Sequence, residues 1–494
     1  MSAVPPATSR IPLTSKLAFG SGAVGEAVYL GLFNTFITIY YNQAVGLSNT
    51  LIGAAVALAM IGDAISDPVV GVWSDRFKSR YGRRHPFLVV APVPLAAAIY
   101  LMFNPPEVLA LSPEDNQWGL FAWLAAWIIL SRALLTLYSV PHLALGGELS
   151  KDQHQRSQLF SANTVFFYVS GAGFAFIAWS FFFSGERTRL SDGAIVPGHL
   201  DPAAYGPLIL FACAMVIVFI WACAAGTAKH IPELSSPPAD EERFTPLLLL
   251  KQIGRTFRNR NYVVLIIAYF FFMIASGIYD TLNVFINTYY WELQPDQIRW
   301  LGLVAAPAAM TGAILSPILM KRFDRKPVML GSLTGVMIFA QLVVNLRLLD
   351  WMPANGDPLL LPLLIANAAG FTFCLGVGTV AIYSMLGDVI DQNELVSGKR
   401  EEGLFYSARA FFAKASYSFG HFFAGVMLDY FVRMPFEAIP GQVDDDVLFR
   451  LGFTAGPMMG VAAIISILIY SQYRLSRVEH QNIINQIEAR KSAT

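Results

Sequence analysis

The sequence predicts an all-α integral membrane protein with twelve transmembrane helices in two six-helix bundles. Three observations carry that prediction. The 494 residues are 55% apolar and only 14% charged, with a mean hydropathy of +0.51, whereas a soluble domain is about a quarter charged. Twelve predominantly apolar runs each approach the roughly 20 residues needed to cross a bilayer. One polar, proline-rich connector divides those runs six and six.

The runs follow one another closely. The first, 17–44, is too long for a signal-peptide core and lacks a small-residue cleavage site in the right place, so it reads as a retained span. Runs at 50–74, 86–104, 117–146, 158–184 and 206–228 complete a first bundle over 1–228. Residues 229–261, "KHIPELSSPPADEERFTPLLLLKQIGRTFRNRN", form the connector, and an amphipathic stretch at 245–257 is expected along the membrane interface. The second bundle, 262–475, holds runs at 262–291, 298–320, 326–347, 358–387, 403–433 and 451–475, followed by a tail at 476–494. Several runs exceed the bilayer's need and should tilt.

Lysine and arginine in short loops set orientation. Arg76, Lys78, Arg80, Arg83 and Arg84 follow the second run; Lys151 and Arg156 the fourth; Lys321, Arg322, Arg325 and Lys326 the eighth; Lys399 and Arg400 the tenth. The opposite loops "PPEVLALSPEDN" and "MPFEAIPGQVDDDVLF" have none, with Arg187 and Arg189 a minor exception. Both termini, the connector and the tail are therefore expected to be cytoplasmic. "GVWSDRFKSRYGRR" after the second run echoes "SPILMKRFDRKPV" after the eighth. Duplication about a central connector is a mark of two-bundle transporters.

Zero formal net charge gives no bulk attraction to nucleic acid. Cys213, Cys223 and Cys374 lie in apolar runs without ligand spacing and read as small buried hydrophobes. No nucleophile–base motif, metal-ligand cluster or phosphate loop suggests an enzyme or a resident cofactor.

The informative residues are charges inside apolar runs, each costing about 2.5–3.5 kcal/mol at membrane depth on insertion scales. In "MIGDAISDPVVG", Asp63 and Asp67 project from one helical face with Ser66 beside them. Two carboxylates so close disfavour joint ionisation, so a proton or a cation is expected between them. The alternatives are an acid pair locked by a neighbouring Lys or Arg, or Asp67 capping at a Pro68 kink. Lys414, mid-run, should find the acids of the second run or lose its proton. Glu26 and Asp280 either face a cavity or pair with a base. His142 and His421 read first as satisfied packing histidines, with a place in a cavity as the alternative. Asp75, Arg76, Arg132, Asp388 and Asp391 are candidates for gating salt bridges, and Arg409 either joins them or snorkels.

"GDAISDPVVG", "LGDVIDQNELVSGKREEGLFYSARAFFAKA" and "SVPHLALGGELSKDQHQRS" resemble the major facilitator superfamily, and within it the glycoside–pentoside–hexuronide:cation symporter family. "SDRFKSRYGRRHPF" is similar to the matching loop of plant sucrose–proton carriers. The resemblance implies the major facilitator fold and a cation site at Asp63, Ser66, Asp67 and Thr136 with Lys414 beside it. The coupling ion is H⁺ or Na⁺, with Asp63 and Asp67 as the place for sodium. Where sugar-binding members carry acids and an arginine, this chain reads Ala27, Ser139 and about Thr164, and Leu143 replaces the stacking aromatic. Glu26, Tyr29, Phe33, Asn34, Ser139, His142, Asp280, Asn283 and Asn287 remain as substrate-cavity candidates. The expectation is a monomeric symporter of the bacterial inner membrane. It would carry a small organic solute, a sugar or glycoside, by alternating access. A carrier of an amphipathic, lipid-like solute is the alternative.

Overall fold

The computed structural model describes residues 11–77, 79–110, 112–150, 152–189, 192–234, 254, 256–257, 259–398 and 401–493. Lys78, Lys151, Lys399, Arg400 and most of the expected 245–257 stretch lie outside the described residues.

Among the described residues the architecture is helical apart from one short hairpin, as the long apolar runs demand: in hydrocarbon every backbone donor and acceptor must be satisfied within its own segment. The helices before the connector are α1 (Leu13–Ile39), α2 (Asn49–Arg76), α3 (His85–Val90), α4 (Pro92–Met102), α5 (Glu107–Ala110), α6 (Gln117–Glu148), α7 (Gln153–Ile177) and α8 (Tyr205–Thr227). After it come α9 (Arg260–Phe285), α10 (Pro295–Phe323), α11 (Arg325–Leu348), α12 (Leu360–Ser397), α13 (Glu402–Val426), α14 (Asp445–Phe453), α15 (Met459–Tyr470) and α16 (Arg477–Ala493). Among the described residues, ten helical spans are long and apolar enough to cross a membrane. The runs at 50–74 and 403–433 also fold as long helices, α2 and α13, but are not among those ten. These two carry Asp63, Asp67, Arg409 and Lys414.

The chain divides into two compact units. The first comprises Met1–Ile37, Leu58–Ala178 and Pro202–Phe244; the second comprises Thr38–Ala57, Trp179–Asp201 and Thr245–Thr494. In the first unit α1 is the packed centre. A Cβ on Gly20 would lie 2.7 Å from the Phe166 ring, one on Gly22 2.3 Å from the Tyr138 hydroxyl, and one on Gly25 2.8 Å from Ile220. The "GSGAVG" run therefore lets α1 touch α7, α6 and α8 at once. Close backbone approach through small residues is the usual way membrane helices gain contact area.

The second unit uses the same device reciprocally. A Cβ on Gly277 of α9 would meet the Tyr417 carbonyl oxygen at 2.3 Å, and one on Gly420 of α13 would meet that of Ile274 at 2.3 Å. Gly312 of α10 and Gly376 of α12 form a matching pair against Phe373 and Ala309. The tail is a helix rather than a loose end: Ile483 and Ile487 of α16 join a core with Tyr262, Met385, Val389, Phe405 and Tyr473. Burial of an Ile side chain contributes roughly 1.5–3 kcal/mol.

A short antiparallel hairpin, β1 (Glu186–Thr188) with β2 (Ile195–Pro197), pairs Arg187 with Val196. It accounts for the basic exception in this loop. Arg189 is buried, donates to Asp192 and, at 2.9 Å, to the Glu437 carbonyl. Arg187 lies 3.6 Å from Asp201.

The N-terminal end of α2, also in the second unit, is capped from a distance. Asp429, just past α13, accepts from the backbone N–H groups of Asn49 (3.1 Å) and Thr50 (2.7 Å) and from the Asn49 side chain (2.9 Å). These are orphan donors of the first turn, and the carboxylate also complements the positive helix end. Asp429→Ala should lower stability by about 1–2 kcal/mol and Asp429→Asn by less, read from thermal unfolding of the purified protein; equal melting of all three proteins would contradict the capping role.

Candidate functional site

α2 and α6 meet in the first unit along a two-rung ladder. Arg132 of α6 donates through Nε (3.0 Å) and Nη2 (2.5 Å) to Oδ2 of Asp63 on α2. One turn further on, the Thr136 hydroxyl donates to Oδ1 of Asp67 at 2.8 Å. Both rungs span 69 positions in sequence, so the two helices run parallel and in register here. Spacing of four on each helix puts both acids on one face and both partners on the other. Pro68 withdraws one backbone donor from α2 beside Asp67.

The rungs differ in electrostatics. Asp63 is 3% exposed, and removing one partner of such a buried ion pair typically costs about 3–5 kcal/mol. Arg132 is braced on its other sides. Its guanidinium lies 5.6 Å from the Phe33 ring centre, and Phe33 stacks on Tyr29. The Tyr29 hydroxyl is 2.9 Å from Ser131 Oγ, next to Arg132 in sequence. Asp67 faces a neutral hydroxyl from Thr136. The Ser66 hydroxyl is buried and has no hydrogen-bond partner among the described residues. A second monovalent cation about 4 Å from the guanidinium would be repelled by about 4 kcal/mol at an effective dielectric of about 20.

The structure therefore brings together four of the predicted cation-site residues, Asp63, Ser66, Asp67 and Thr136, and adds Arg132. Arg132 was expected to gate; it is instead the counter-ion of Asp63. Lys414 sits at the centre of α13, half-buried, in the second unit.

The cavity candidates separate. Tyr29 and Phe33 are packed around Arg132, and His142 is fully buried. The His142 Nε2 lies 2.9 Å from the Phe19 carbonyl, and its ring stacks on Tyr138. These three are packing residues, a correction that follows from α1 lying at the centre of its unit. Glu26, Asn34 and Ser139 are half-buried, and Glu26 is close enough to interact electrostatically with Tyr138. In the second unit Asp280 accepts from the Tyr417 hydroxyl at 2.5 Å, and Asn287 donates to Asn283 at 3.3 Å one turn along α9. The neighbouring Thr281 hydroxyl lies 2.5 Å from Nδ1 of His421.

The expected gating residues form local networks. The buried Arg84 binds Asp75, Ser74 (2.7 Å) and Glu148 (2.9 Å), and Arg83 also reaches Glu148 at 2.9 Å. Arg76 is exposed. In the second unit Arg325 lies 3.1 Å from Asp388, and His480 of α16 lies 3.4 Å from Asp388 and 2.9 Å from Asp391. Each pairing lies within one unit and ties a loop or tail to a helix end. Arg409, expected to snorkel or form a salt bridge, is sandwiched between Tyr269 and Tyr383, 4.4 and 4.5 Å from the ring centres, and donates to the Tyr269 hydroxyl. Sequence reading passed over Glu148, Tyr417 and His480. A Glu148 signal was present in principle, because the doubled arginine at 83–84 needs an acid.

Glu148→Ala strips both arginines of their shared partner and should cost about 3 kcal/mol, whereas Asp75→Ala should cost under about 1 kcal/mol because Asp75 is 42% exposed. Thermal melts of the two variants check this; the reverse ranking would contradict the network as described.

Comparison with known proteins agrees with this fold. An uncharacterized symporter of Synechocystis sp. is 25% identical, covering 98% of this chain and 98% of its own. An Escherichia coli K12 protein whose name proposes a glycoside/cation symporter is 22% identical, covering 98% and 97%. The crystal structure of a D-xylose–proton symporter superposes with a TM-score of 0.61 at 15% identity over 94% of this chain and 97% of that one, a likeness of fold. The model of the MFS/sugar transport protein family matches residues 18–477, and the chain belongs to that family.

Proposed function

We propose that the protein is a cation-coupled secondary active symporter of a small organic solute, a sugar or glycoside, working by alternating access in a bacterial inner membrane with both termini cytoplasmic. The observation that supports it most is the α2–α6 ladder. An apolar helix holds the Asp67 carboxylate against the Thr136 hydroxyl, one turn from a second carboxylate paired with Arg132. A carboxylate at that depth is costly, and binding a cation discharges it. Coupling follows when the discharged and charged forms favour different states of the carrier, because a ligand shifts an equilibrium only by its differential affinity. Family membership supports sugar transport as the broad activity, and the relatives named as symporters support coupling to an ion.

Asp280 and Asn283 on α9, with Asn287 one turn beyond Asn283, supply acceptors and donors suited to hydroxyl groups. They are the solute contacts of this reading.

Reconstituted protein should accumulate one member of a panel of labelled sugars and glycosides when an inward H⁺ or Na⁺ gradient is imposed. Ionophores should abolish that accumulation, and Asp67→Asn should reduce it at least tenfold while leaving solute exchange between the two sides. Accumulation insensitive to ionophores, or uptake of lysolipid but of no sugar, would overturn the proposal.

A further inference from the structure

We infer that Arg409 recognises an acidic group on the transported solute, which makes that solute an acidic sugar or glycoside rather than a neutral one. This deepens the symporter reading above and rests on it.

The inference starts from an arginine without an acid. Arg409 lies within α13, seven residues past its first residue, Glu402. Among the described residues it makes no salt bridge; its contacts are the Tyr269 and Tyr383 rings and one hydrogen bond of 2.9 Å to the Tyr269 hydroxyl. A guanidinium keeps its charge at physiological pH and carries five N–H donors. One of the five is matched here, and Nε is buried with no hydrogen-bond partner among the described residues. Tyrosine rings attract a cation through their faces, but they leave its charge uncancelled. Arg84, Arg132 and Arg325 each meet a carboxylate, at Glu148, Asp63 and Asp388. Arg409 departs from that pattern. Snorkelling does not resolve it, because the guanidinium is held at Tyr269, nine residues into α9.

The tyrosine pair is open rather than sealed. Tyr383 is 45% exposed, and Tyr406, whose ring stacks on it with centres 6.3 Å apart, is 40% exposed. The exposed positions beside them are polar: Thr379 one turn before Tyr383 on α12, and Ser407 next to Tyr406 on α13. In the same unit α10 exposes Ile314, Leu315 and Ile318, a face suited to acyl chains. Hydroxyls and a guanidinium on one open face suit a solute and not hydrocarbon.

The chemistry selects the ligand. A planar guanidinium edge binds a carboxylate or a similar oxyanion through paired, charge-assisted hydrogen bonds. With the tyrosine rings against the guanidinium, its N–H edge is the side left for an anion. Helical rise puts Tyr269 about 16 Å from Asp280 along α9, so an acidic group at Arg409 stands clear of the Asp280 carboxylate.

The test measures binding to the full-length protein in detergent by isothermal titration. The probes are D-glucuronate, D-galacturonate and glucose 6-sulfate, each against its neutral parent sugar. At least one acid should bind the wild type tenfold or more tightly than its parent. Arg409→Gln should cut that preference at least tenfold. Should that variant fold poorly, Arg409→Lys, which keeps the charge and loses the planar fork, should cut it at least threefold. A wild type that prefers no acid over its parent, or a preference that survives unchanged in the variant, overturns the inference; ion-driven uptake of a neutral sugar would then still support the symporter reading. Gradient-independent uptake of every sugar, acidic or neutral, would instead overturn that reading itself.

Discussion

A carboxylate inside an apolar helix must find a positive or hydrogen-bonding partner, and the Asp63–Arg132 pair is how this chain meets that requirement. Its consequences reach well beyond two residues. The pair fixes which face of α2 meets α6 and sets the two helices in parallel register, so that Asp67 falls opposite Thr136. It requires an aromatic wall for the guanidinium, which Phe33 and Tyr29 of α1 provide. That wall in turn requires α1 to lie centrally, which the glycines at 20, 22 and 25 permit. The consequence is asymmetry: two acids one turn apart, chemically alike, differ in partner, a guanidinium for Asp63 and a hydroxyl for Asp67.

The same electrostatic logic recurs at the helix ends. In the first unit an arginine following α2 reaches Glu148 at the end of α6. In the second, an arginine following α10 reaches Asp388 near the end of α12. The basic loops that orient a membrane protein are thus also structural: each lays a guanidinium against a carboxylate two apolar runs later in its own unit. The two loops that echo each other in sequence thus share a charge pairing although their residues differ. His480 extends the second network to the tail helix, which anchors itself further through Ile483 and Ile487.

The spans were legible in the sequence because bilayer thickness imposes length and apolarity on each of them. The charges within them were legible for the opposite reason: Asp63, Asp67 and Lys414 stand out against apolar neighbours. Thr136 came from resemblance, and its bond to Asp67 is found. A base locking the acid pair was one of the readings the sequence offered; that Arg132 is that base was not legible. Helical periodicity orders residues within one helix, but it does not say which face of a helix 69 positions away will lie opposite. Arg132 looked like a gate because an arginine in a membrane span invites a mobile role, and only tertiary contact reveals a static one. Tyr29 and Phe33 were misread as cavity residues for a related cause, whereas His142 packs as its first reading had it. A polar or aromatic side chain on a glycine-rich helix, or facing one, is drawn into packing before it can line an open space. Asp429 lay hidden because its partners are backbone donors of α2, which leave no trace in composition.

The proposed function turns on a coupling cation discharging the Asp67 carboxylate. Infrared difference spectra between cation-free protein and protein loaded with H⁺ or Na⁺, on samples carrying isotope-labelled aspartate, measure this directly through the carboxyl bands. The account predicts a cation-dependent aspartate band that is absent in Asp67→Asn. The same band at full strength in Asp67→Asn would contradict it.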